Sequence, residues 1–290
     1  MAIWKIDELG EFVTLKRGYD LPQQKRKNGE IPIFSSSGVT GTHNEAMVEA
    51  PGVITGRYGT IGEVFFAETS FWPLNTTLYV ENFHENDEKF VYYFLKTLEW
   101  KKFASASAVP GINRNTVHKE IVRFPDFETQ QKIASVLSAI DKKIAVNKAI
   151  NDNLEQQAVT YFQELYINNA NPMWQIGTIS DLGTVVGGST PSKTKPEYYT
   201  NNGIAWITPK DLSINKSKFI SHGENDITEL GLKNSSATVM PKGTVLFSSR
   251  APIGYIAIAS NEVTTNQGFK SVIPYSEIGT AFVYFFLKHS

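Results

Sequence analysis

Short hydrophobic stretches, rich in β-branched and aromatic residues and separated by Gly, Pro, Asn and Ser, dominate the first part of the chain. Stretches of this length and composition are typical of β-strands. The strands predicted in this way are Glu11–Leu15, Ile31–Phe34, Gly52–Thr55, Glu63–Ala67, Leu74–Val80 and Ile121–Phe124. The predicted helices are Asn86–Phe103, which carries Asp87 and Glu88 in its first turn, and the short Asn113–Lys119. The pattern indicates a mixed α+β domain.

The same pattern recurs in the second half of the chain, where five blocks return in the same order. The matched blocks are Trp4–Ile6 with Gly18 and Trp174–Ile176 with Gly188; Ile31–Ser35 and Ile204–Thr208; Ile54–Arg57 with Ile61–Gly62 and Phe247–Arg250 with Ile253–Gly254; Asn75 and Asn266; Phe90–Lys96 and Phe282–Lys288. The chain is therefore predicted to contain two copies of one domain. The second copy stops at Ser290, opposite Leu98, so that Glu99–Ala170 has no counterpart and the second copy is predicted to be truncated.

A segment without Pro or Gly, Asp126–Asn168, lies between the two copies. Its hydrophobic positions alternate in steps of four and three residues, which is the pattern of a helix that packs lengthwise against another helix. This seam consists of Ile133, Leu137, Ile140, Ile144, Asn147, Asn151, Leu154, Ala158, Tyr161 and Leu165. A helix over the seam would be roughly 50 Å long. The two asparagines either set the register of the helix pair or lie at its wet edge. In both cases the helix requires a partner.

The composition excludes several classes of protein. A chain of 290 residues fits two domains, and no run approaches the roughly 18 apolar residues of a membrane span. The absence of cysteine excludes disulfides and thiolate metal sites and is consistent with a cytoplasmic location. The five histidines lack close metal-ligand spacing, and no GK[ST], GxGxxG or NPPY-type run is present. A net charge of -1 counts against a protein that binds nucleic acid on its own.

These segments together resemble the specificity subunits of type I restriction-modification systems over essentially the whole chain. The most specific match is Phe127–Ile144, continued by Asn151–Glu155, which is similar to that family's central conserved helix. Trp174–Ser192 and Ile204–Asp211 resemble the opening of a target recognition domain. The expected fold is α+β, with target recognition domain 1 at residues 1–127, a long coiled-coil-type spacer helix at 128–170, and a truncated target recognition domain 2 at 171–290.

The resemblance implies that each recognition domain reads half of a bipartite target in double-stranded DNA. In that family two long helices pack antiparallel, methyltransferase subunits bind around them, and endonuclease subunits join to cut unmodified DNA. S-adenosylmethionine, ATP and Mg are expected on those partner subunits, with no cofactor, metal or catalytic residue on this chain. The sequence departs from the family because the second long helix is missing. We therefore expect the central helix to pair with that of a second copy in an antiparallel homodimer, or the product to be assembly-defective.

The candidate DNA-contacting residues carry cations or hydroxyl groups. In the first domain they are Lys16, Arg17, Lys25, Arg26, Lys27, Ser35, Ser36 and Ser37, and in the second Lys193, Lys195, Lys210, Lys216 and Lys218. Cations grip phosphates whereas contacts to base edges select sequence, although a charged run is more often a solvated face and the serines also suit an ordinary turn. Arg57 and Arg250 lie in similar loops. Each either contacts a phosphate or the O6/N7 edge of guanine, or braces its own loop through backbone carbonyls.

Two further functions are compatible with the same residues. A truncated or silent specificity-gene product would bind partner subunits through the helix without specifying DNA. A stand-alone DNA-modifying enzyme is disfavoured by the missing catalytic motifs. The aromatic clusters Tyr92–Phe94 and Tyr284–Phe286 are predicted to pack in protein cores and not to stack on bases.

Overall fold

The structure is a computed structural model that describes residues 3–105, 110–250 and 252–289. Two compact units divide the chain: the first unit is Met1–Asn151 and the second unit is Asp152–Ser290. Both contain mixed sheets and helices, and a long helix lies between the two sheet-rich parts of the sequence, which confirms the predicted fold class. The three-part division at 127/128 and 170/171 stays a prediction. Ser290, at which the second copy stops in the repeat comparison above, lies outside the described residues, as does Ala251.

The first unit is built mainly from short strands. In chain order these are β1 (Trp4–Glu8), β2 (Thr14–Arg17), β3 (Ile31–Ser35), β4 (Gly38–His43), β5 (Gly52–Gly56), β6 (Val64–Ala67), β7 (Trp72–Pro73), β8 (Thr77–Asn82) and β9 (Ile121–Pro125), with helices α1 (Glu88–Lys96) and α2 (Arg114–His118). One antiparallel sheet has the strand order β2-β8-β5-β6, a second sheet has the order β4-β3-β7, and β1 pairs with β9. The core lies between the first of these sheets and α1, because β5 is buried along its whole length.

Three predicted elements of the first unit have clearly different bounds in the structure. The strand expected at Leu74–Val80 runs from Thr77 to Asn82. The strand expected at Glu11–Leu15 begins as a 3-10 turn, and the strand itself runs from Thr14 to Arg17. The helix expected to reach Phe103 ends at Lys96. At this end, the indole of Trp100 donates a hydrogen bond of 2.8 Å to the carbonyl oxygen of Leu95, one of the carbonyls of the last turn.

The long helix α3 (Phe127–Gln163) continues into a π-helical turn at Glu164–Asn168, so that Leu165 of the predicted seam lies in that turn. Its 37 residues correspond to a helix of roughly 55 Å. Asp126 precedes the helix and accepts the backbone N–H of Thr129 at 2.9 Å, which lowers the pKa of this carboxyl. The helix is therefore capped where the resemblance placed its start.

Different side-chain contacts attach the N-terminal and C-terminal halves of α3 to their surroundings. In the first unit, Tyr93 of α1 donates a hydrogen bond of 2.8 Å to Asp141 of the helix. In the second unit, Phe162 of the helix is buried, and Glu155 accepts hydrogen bonds from Lys288 at 2.8 Å and from Lys218. The N-terminal half of the helix thus belongs to the packing of the first unit and the C-terminal half to that of the second.

The second unit repeats this plan with additional elements. Its strands are β10 (Gly183–Gly187), β11 (Tyr199–Thr200), β12 (Ile204–Ile207), β13 (Phe219–Ile220), β14 (Asn225–Ile227), β15 (Val245–Phe247), β16 (Ile256–Ala259), β17 (Thr264–Thr265) and β18 (Lys270–Pro274), and its helices are α4 (Pro209–Ile214), α5 (Glu229–Lys233) and α6 (Thr280–His289). One sheet has the order β10-β18-β15-β16-β13 and the other β11-β14-β12-β17. The cores of this unit lie against the larger sheet and beneath α6.

The internal repeat is confirmed by strand order. The order β2-β8-β5-β6 of the first unit corresponds strand for strand to β10-β18-β15-β16 of the second, and the parallel pair β3–β7 corresponds to β12–β17. Gly18 and Gly188 serve the same purpose in the two copies. A Cβ on Gly18 would lie 2.2 Å from the carbonyl oxygen of Leu74, and a Cβ on Gly188 would lie 2.0 Å from that of Asn266, so neither position admits a side chain.

The backbone hydrogen bonds also correct the predicted register of two repeat blocks. The close approach of the glycines makes Asn266 equivalent to Leu74, so pairing it with Asn75 was wrong by one residue. The loop after β5 closes with a bond from Gly62 N to Gly56 O, and the loop after β15 closes in the same way between Gly254 and Ser248. Counting along these matched loops, Arg250 is equivalent to Tyr58 and not to Arg57. The two arginines therefore occupy neighbouring, not equivalent, positions.

Candidate nucleic-acid interface

Three of the predicted DNA-contacting cations of the second unit line one open cavity of about 730 Å³. Lys193 comes from the loop after β10, Lys210 from α4 and Arg250 from the loop after β15, and the chain segments between them are long. Asn225 and Gln267 line the same cavity. Guanidinium and amide groups are the side chains that bind guanine and adenine edges in pairs of hydrogen bonds, so the cavity combines groups for phosphate binding with groups for base recognition.

The wall of this cavity is fixed by partly buried hydrogen bonds. Trp206 on β12 donates its indole N–H to the carbonyl oxygen of Ser189 at 3.0 Å. At the start of α4, Asp211 accepts from the backbone N–H of Thr208 at 2.7 Å and from that of Glu224 at 2.8 Å. Because Asp211 is buried and bonded on both oxygens, it shapes the loop around Lys210 and is not available to a ligand.

The other predicted cations of the second unit lie elsewhere in it. Lys195 is 3.8 Å from Glu197, and Lys216 is exposed; neither lines the cavity. Lys218 forms an ion pair with Glu155 of α3, and burial lowers the pKa of its ammonium. The structure thus brings Lys193, Lys210 and Arg250 together, keeps Lys195 and Lys216 apart from them, and engages Lys218 with the long helix.

Lys210 is partly neutralised by its neighbour. Its Nζ lies 2.6 Å from Glu224 Oε2, and this hydrogen bond raises the pKa of the lysine. Both side chains are well exposed, so the pair contributes little to stability. An incoming phosphate would compete with the Glu224 carboxylate for the same ammonium, which makes the pair a screened and exchangeable contact.

The equivalence of the amide residues Asn75 and Gln267 in the two units was not predicted from the sequence. Gln267 accepts a hydrogen bond from the hydroxyl of Thr190, and Asn75 donates one to the carboxylate of Asp20. With the corrected register, Asn75 is equivalent to Gln267 and Asp20 to Thr190. The pairing of Asn75 with Asn266 concealed this correspondence. The unequal spacing of 13 and 12 residues after the loop glycines was the signal that could have found it.

The predicted cations of the first unit have a different environment. Lys16 on β2 forms an ion pair with Glu81, and Arg17 at the end of the same strand is exposed. Arg26 is half-buried and donates to the carbonyl oxygen of Thr40 at 3.3 Å, which ties its loop to β4. The side chains of Lys25 and Lys27 are exposed on either side of it.

Arg57, Ser35 and Ser36 have local roles in the described structure. Arg57 donates from Nε to the carbonyl oxygen of Ile112 at 3.1 Å, and its guanidinium lies over the ring of Tyr58. Ser35 accepts the backbone N–H of Ser37 at 3.2 Å, and its hydroxyl donates to the carbonyl oxygen of Gly38, as in an ordinary turn. Ser36 is half-buried. These contacts favour the loop-bracing and turn interpretations, and DNA contact by these residues stays a prediction.

The seam of the long helix is largely solvent-exposed. Ile133 and Leu137 are half-buried at its N-terminal end, and Ala158 is half-buried further along. The exposed seam residues are Ile140, Ile144, Asn147, Asn151, Leu154, Tyr161 and Leu165. A row of exposed aliphatic side chains along a helix is unusual for a protein that acts alone, because contiguous apolar surface normally marks an interface.

No metal centre and no membrane span are found in the parts of the chain that the structure describes. Within residues 3–105, 110–250 and 252–289, no three His, Asp or Glu side chains are grouped so that they could hold a metal ion. None of the helices formed by those residues combines the length and hydrophobicity needed to cross a bilayer.

Comparison with known proteins places this geometry in a family. Residues 1–156 and 171–290 match the type I restriction modification DNA specificity domain. The chain therefore belongs to the family of type I restriction-modification DNA specificity domains. The first match contains strands β1 to β9 and the second contains strands β10 to β18, in agreement with the repeat seen in the structure.

Individual relatives cover parts of the chain. The chain is 47% identical over 129 residues to the MjaIX specificity subunit of Methanocaldococcus jannaschii, which is 44% of this chain and 30% of that protein. It is 27% identical over 206 residues to the EcoR124I/EcoR124II specificity subunit of Escherichia coli, covering 68% of this chain and 50% of that protein. The chain thus spans half or less of the length of these two curated relatives.

A solved structure shares this fold. The crystal structure of the type I restriction-modification S subunit from M. genitalium superposes with a TM-score of 0.58 at 18% identity, covering 99% of this chain and 77% of that chain. Since the identity is low, the match supports the fold alone. It agrees with two sheet-rich regions and a long helix between them in the sequence.

Proposed function

We propose that this chain is the DNA sequence-recognition component of a type I restriction-modification assembly and has no catalytic centre of its own. The observation that carries the proposal is the duplication: two units with the same strand order, one long helix shared between them, and a family match to each. Two similar recognition units on one polypeptide suit a bipartite DNA target, in which each unit recognises one part.

In this proposal the cavity of the second unit faces DNA. Lys193 and Lys210 bind phosphates, and Arg250 binds either a phosphate or a guanine edge. Gln267, on the same cavity, is placed to read a base edge, and Asn75 has the equivalent role in the first unit. The predicted residues Lys16, Arg17, Lys25, Arg26, Lys27, Ser35, Ser36, Arg57, Lys195 and Lys216 are retained as weaker candidates for DNA contact.

The exposed seam of α3 is proposed to bind partner subunits. Its residues from Ile140 to Leu165 include aliphatic and aromatic side chains that are 51–67% exposed, and covering them with another helix would remove this surface from water. Methyltransferase subunits, and with them endonuclease subunits, are the proposed partners. Those subunits, and not this chain, would bind S-adenosylmethionine, ATP and Mg. The proposed partner helix is α3 of a second copy of the chain, packed antiparallel along the seam.

Sedimentation tests the helix pairing. Replacing Ile144 with Glu places a charge in the middle of the seam, and we expect it to shift the chain from dimer to monomer. Lys142→Glu introduces the same residue on the opposite side of the helix and serves as the control. A wild-type chain that stays monomeric at every concentration tested, with full activity in the assembly, would contradict the homodimer while leaving DNA recognition open.

Methylation mapping tests the recognition role. Genomes with and without this gene are compared for methylated adenine motifs, and the cell extract is examined for a methyltransferase subunit that co-purifies with the chain. The expected result is a two-part motif that disappears with the gene and returns on complementation. If the chain co-purifies with a methyltransferase but no motif depends on it, the protein is a partner-binding product that specifies no DNA, and the proposed function is wrong.

A further inference from the structure

A carboxylate and an amide of the first unit lie side by side at the positions that correspond to the basic cavity of the second unit. Asp20 follows β2 and is exposed, whereas Asn75 lies between β7 and β8 and is half-buried. Nδ2 of Asn75 donates a hydrogen bond to Oδ1 of Asp20. The backbone joins the same two segments, because the N–H of Asn75 donates to the carbonyl oxygen of Tyr19 at 2.9 Å and that of Tyr19 donates to Pro73 at 2.8 Å. The backbone thus fixes the two residues relative to each other.

The carboxylate determines which way the amide of Asn75 faces. An ionised carboxyl group accepts hydrogen bonds and has no hydrogen to donate, so only the NH2 end of the amide can bond to it. Among the described residues, no hydrogen bond to Oδ1 of Asn75 is seen. Asn86 of the same unit, by contrast, uses both ends of its amide: Nδ2 donates to the carbonyl oxygen of Phe12 at 2.8 Å, and Oδ1 accepts from Gln130 at 2.7 Å. Asn75 therefore differs from a residue that only braces its loop, because it keeps an oriented acceptor.

The equivalent amide of the second unit has a different neighbour. Gln267 contacts Thr190, whose hydroxyl donates to Oε1 of the amide. Because a hydroxyl group can either donate or accept, it can bind either end of an amide and does not select one of them. Gln267 is also exposed and has the longer side chain. A neighbouring carboxylate therefore imposes the orientation of the amide in the first unit and not in the second.

The charge of Asp20 indicates that its contribution to DNA binding is not affinity. Among the described residues, Asp20 forms no ion pair, so its charge is not neutralised by a lysine or arginine. The matched position of the second unit belongs instead to a cavity lined by Lys193, Lys210 and Arg250. A carboxylate that faces DNA repels phosphates whatever the sequence. Such a residue can contribute to recognition only through discrimination between bases.

We propose that Asp20 is a positioning residue that turns Oδ1 of Asn75 toward the base edges, so that the first unit selects a base by its exocyclic amino group. In the major groove, adenine N6 and cytosine N4 carry these donors, whereas guanine O6 and thymine O4 are acceptors. An acceptor opposite Oδ1 leaves two oxygens without a hydrogen between them, which is unfavourable. The second unit, without this constraint, discriminates less strictly at the matched position. The inference rests on the proposed function, because it requires that this surface contacts DNA.

The test removes the amino group from the DNA. It uses the full chain in its complex with the methyltransferase subunits that co-purify with it, on duplexes that contain the mapped methylation motif. At the base pair where Asn75→Ala relaxes the motif, adenine is replaced by unsubstituted purine, or cytosine by 2-pyrimidinone, each of which lacks the amino group. We expect this replacement to weaken wild-type binding about tenfold. Binding of Asn75→Ala should not weaken further, which controls for the weaker base pair in the DNA.

Variants of the neighbouring carboxylate separate positioning from folding. Asp20→Thr gives this position the residue of the second unit, so the penalty for the missing amino group should fall to about twofold or less. Binding of this variant to DNA without the motif should not weaken, because a negative charge is lost. Glu11→Gln removes an exposed carboxylate before the other end of β2 and should keep the penalty of about tenfold. A uniform loss of affinity in Asp20→Thr, with the wild-type penalty retained, would assign Asp20 a structural role and overturn the proposal.

The remaining outcomes distinguish this inference from the proposed function. If a methylated motif depends on the gene but Asn75→Ala relaxes no base pair of it, the inference is wrong and the proposed function stands. The same holds if Asn75→Ala keeps the penalty for the missing amino group, because another residue then contacts that group. If no methylated motif depends on the gene, the proposed function is wrong and the inference is wrong with it.

Discussion

The three cations that meet in the basic cavity allow a quantitative test of how the second unit binds DNA. Lys193, Lys210 and Arg250 come from separate segments and line the same cavity. Each phosphate contact of a protein on duplex DNA contributes about 0.9 to the slope of log binding constant against log salt concentration. For one copy of the chain on the DNA, if all three bind phosphate, replacing them together with Ala should reduce the magnitude of the slope by about 2.7, and two bound copies would double this change.

The assay uses the chain in its complex with the methyltransferase subunits that co-purify with it, on a duplex that contains the mapped methylation motif. Binding is titrated between about 50 and 200 mM salt. Over this range the triple variant should lose roughly 40-fold less affinity than the wild type does, because its binding releases fewer counterions. If Arg250 binds a guanine edge, the slope should fall by only about 1.8, and discrimination at one base pair should be lost.

Two controls separate charge from position. Lys233→Ala combined with Lys242→Ala removes two exposed cations that do not line the cavity and should leave the slope close to that of the wild type. Lys210→Ala leaves the Glu224 carboxylate unpaired, so Lys210→Ala with Glu224→Gln is needed to exclude repulsion between that carboxylate and DNA. A slope that the triple variant does not change, or that the two control lysines change equally, would refute the assignment of this cavity to DNA.

Three further outcomes are expected. Asn75→Ala should relax one half of the methylated motif and Gln267→Ala the other, as read by methylation mapping, because each removes an amide from an equivalent position of one unit; loss of the whole motif in either variant would contradict separate reading. Phe124→Ala should destabilise the first unit by about 3–5 kcal/mol in urea unfolding, against at most about 0.5 kcal/mol for Ile121→Ala on the exposed side of the same strand; equal effects would contradict the packing described. Burial lowers the pKa of His118 below its ordinary 6.5, and its Nε2 accepts a backbone N–H at 2.8 Å. Because the folded state favours the neutral imidazole, the stability of the first unit should decrease as the pH falls below about 6.5. His118→Gln should flatten this pH dependence.

The repeat and the fold class could be predicted from the sequence because both depend on local patterns. Strand segments such as Ile31–Phe34 and Gly52–Thr55 are hydrophobic enough to be recognised singly, and their bounds agree with β3 and β5 to within a residue or so. Gly18 and Gly188 could be matched from the sequence because both positions require glycine: a carbonyl oxygen lies where the Cβ of any other residue would be. The seam was visible because helical packing imposes a regular spacing.

The register of the loops was not predictable in the same way. Arg57 and Arg250 share a residue type, and matching by residue type placed them together. The hydrogen bonds that close the two loops place them one residue apart. The contact between Asp20 and Asn75 joins residues that are 55 positions apart, and it depends on tertiary structure alone. Likewise, only folding shows that Lys193, Lys210 and Arg250 line one cavity and that Lys218 binds Glu155.

The corrected register also bears on how two copies of one domain can serve one target. The positions that set the backbone are alike in the two units: the close-packed glycines, the parallel strand pair and the closing bonds of the loops. The side chains placed by that backbone differ, with Tyr58 at the position of Arg250 and Asn75 at that of Gln267. A shared scaffold with different hydrogen-bonding groups presents two different surfaces to DNA. Under the proposed function, the two halves of the target should therefore differ in sequence, although the units that read them have the same fold.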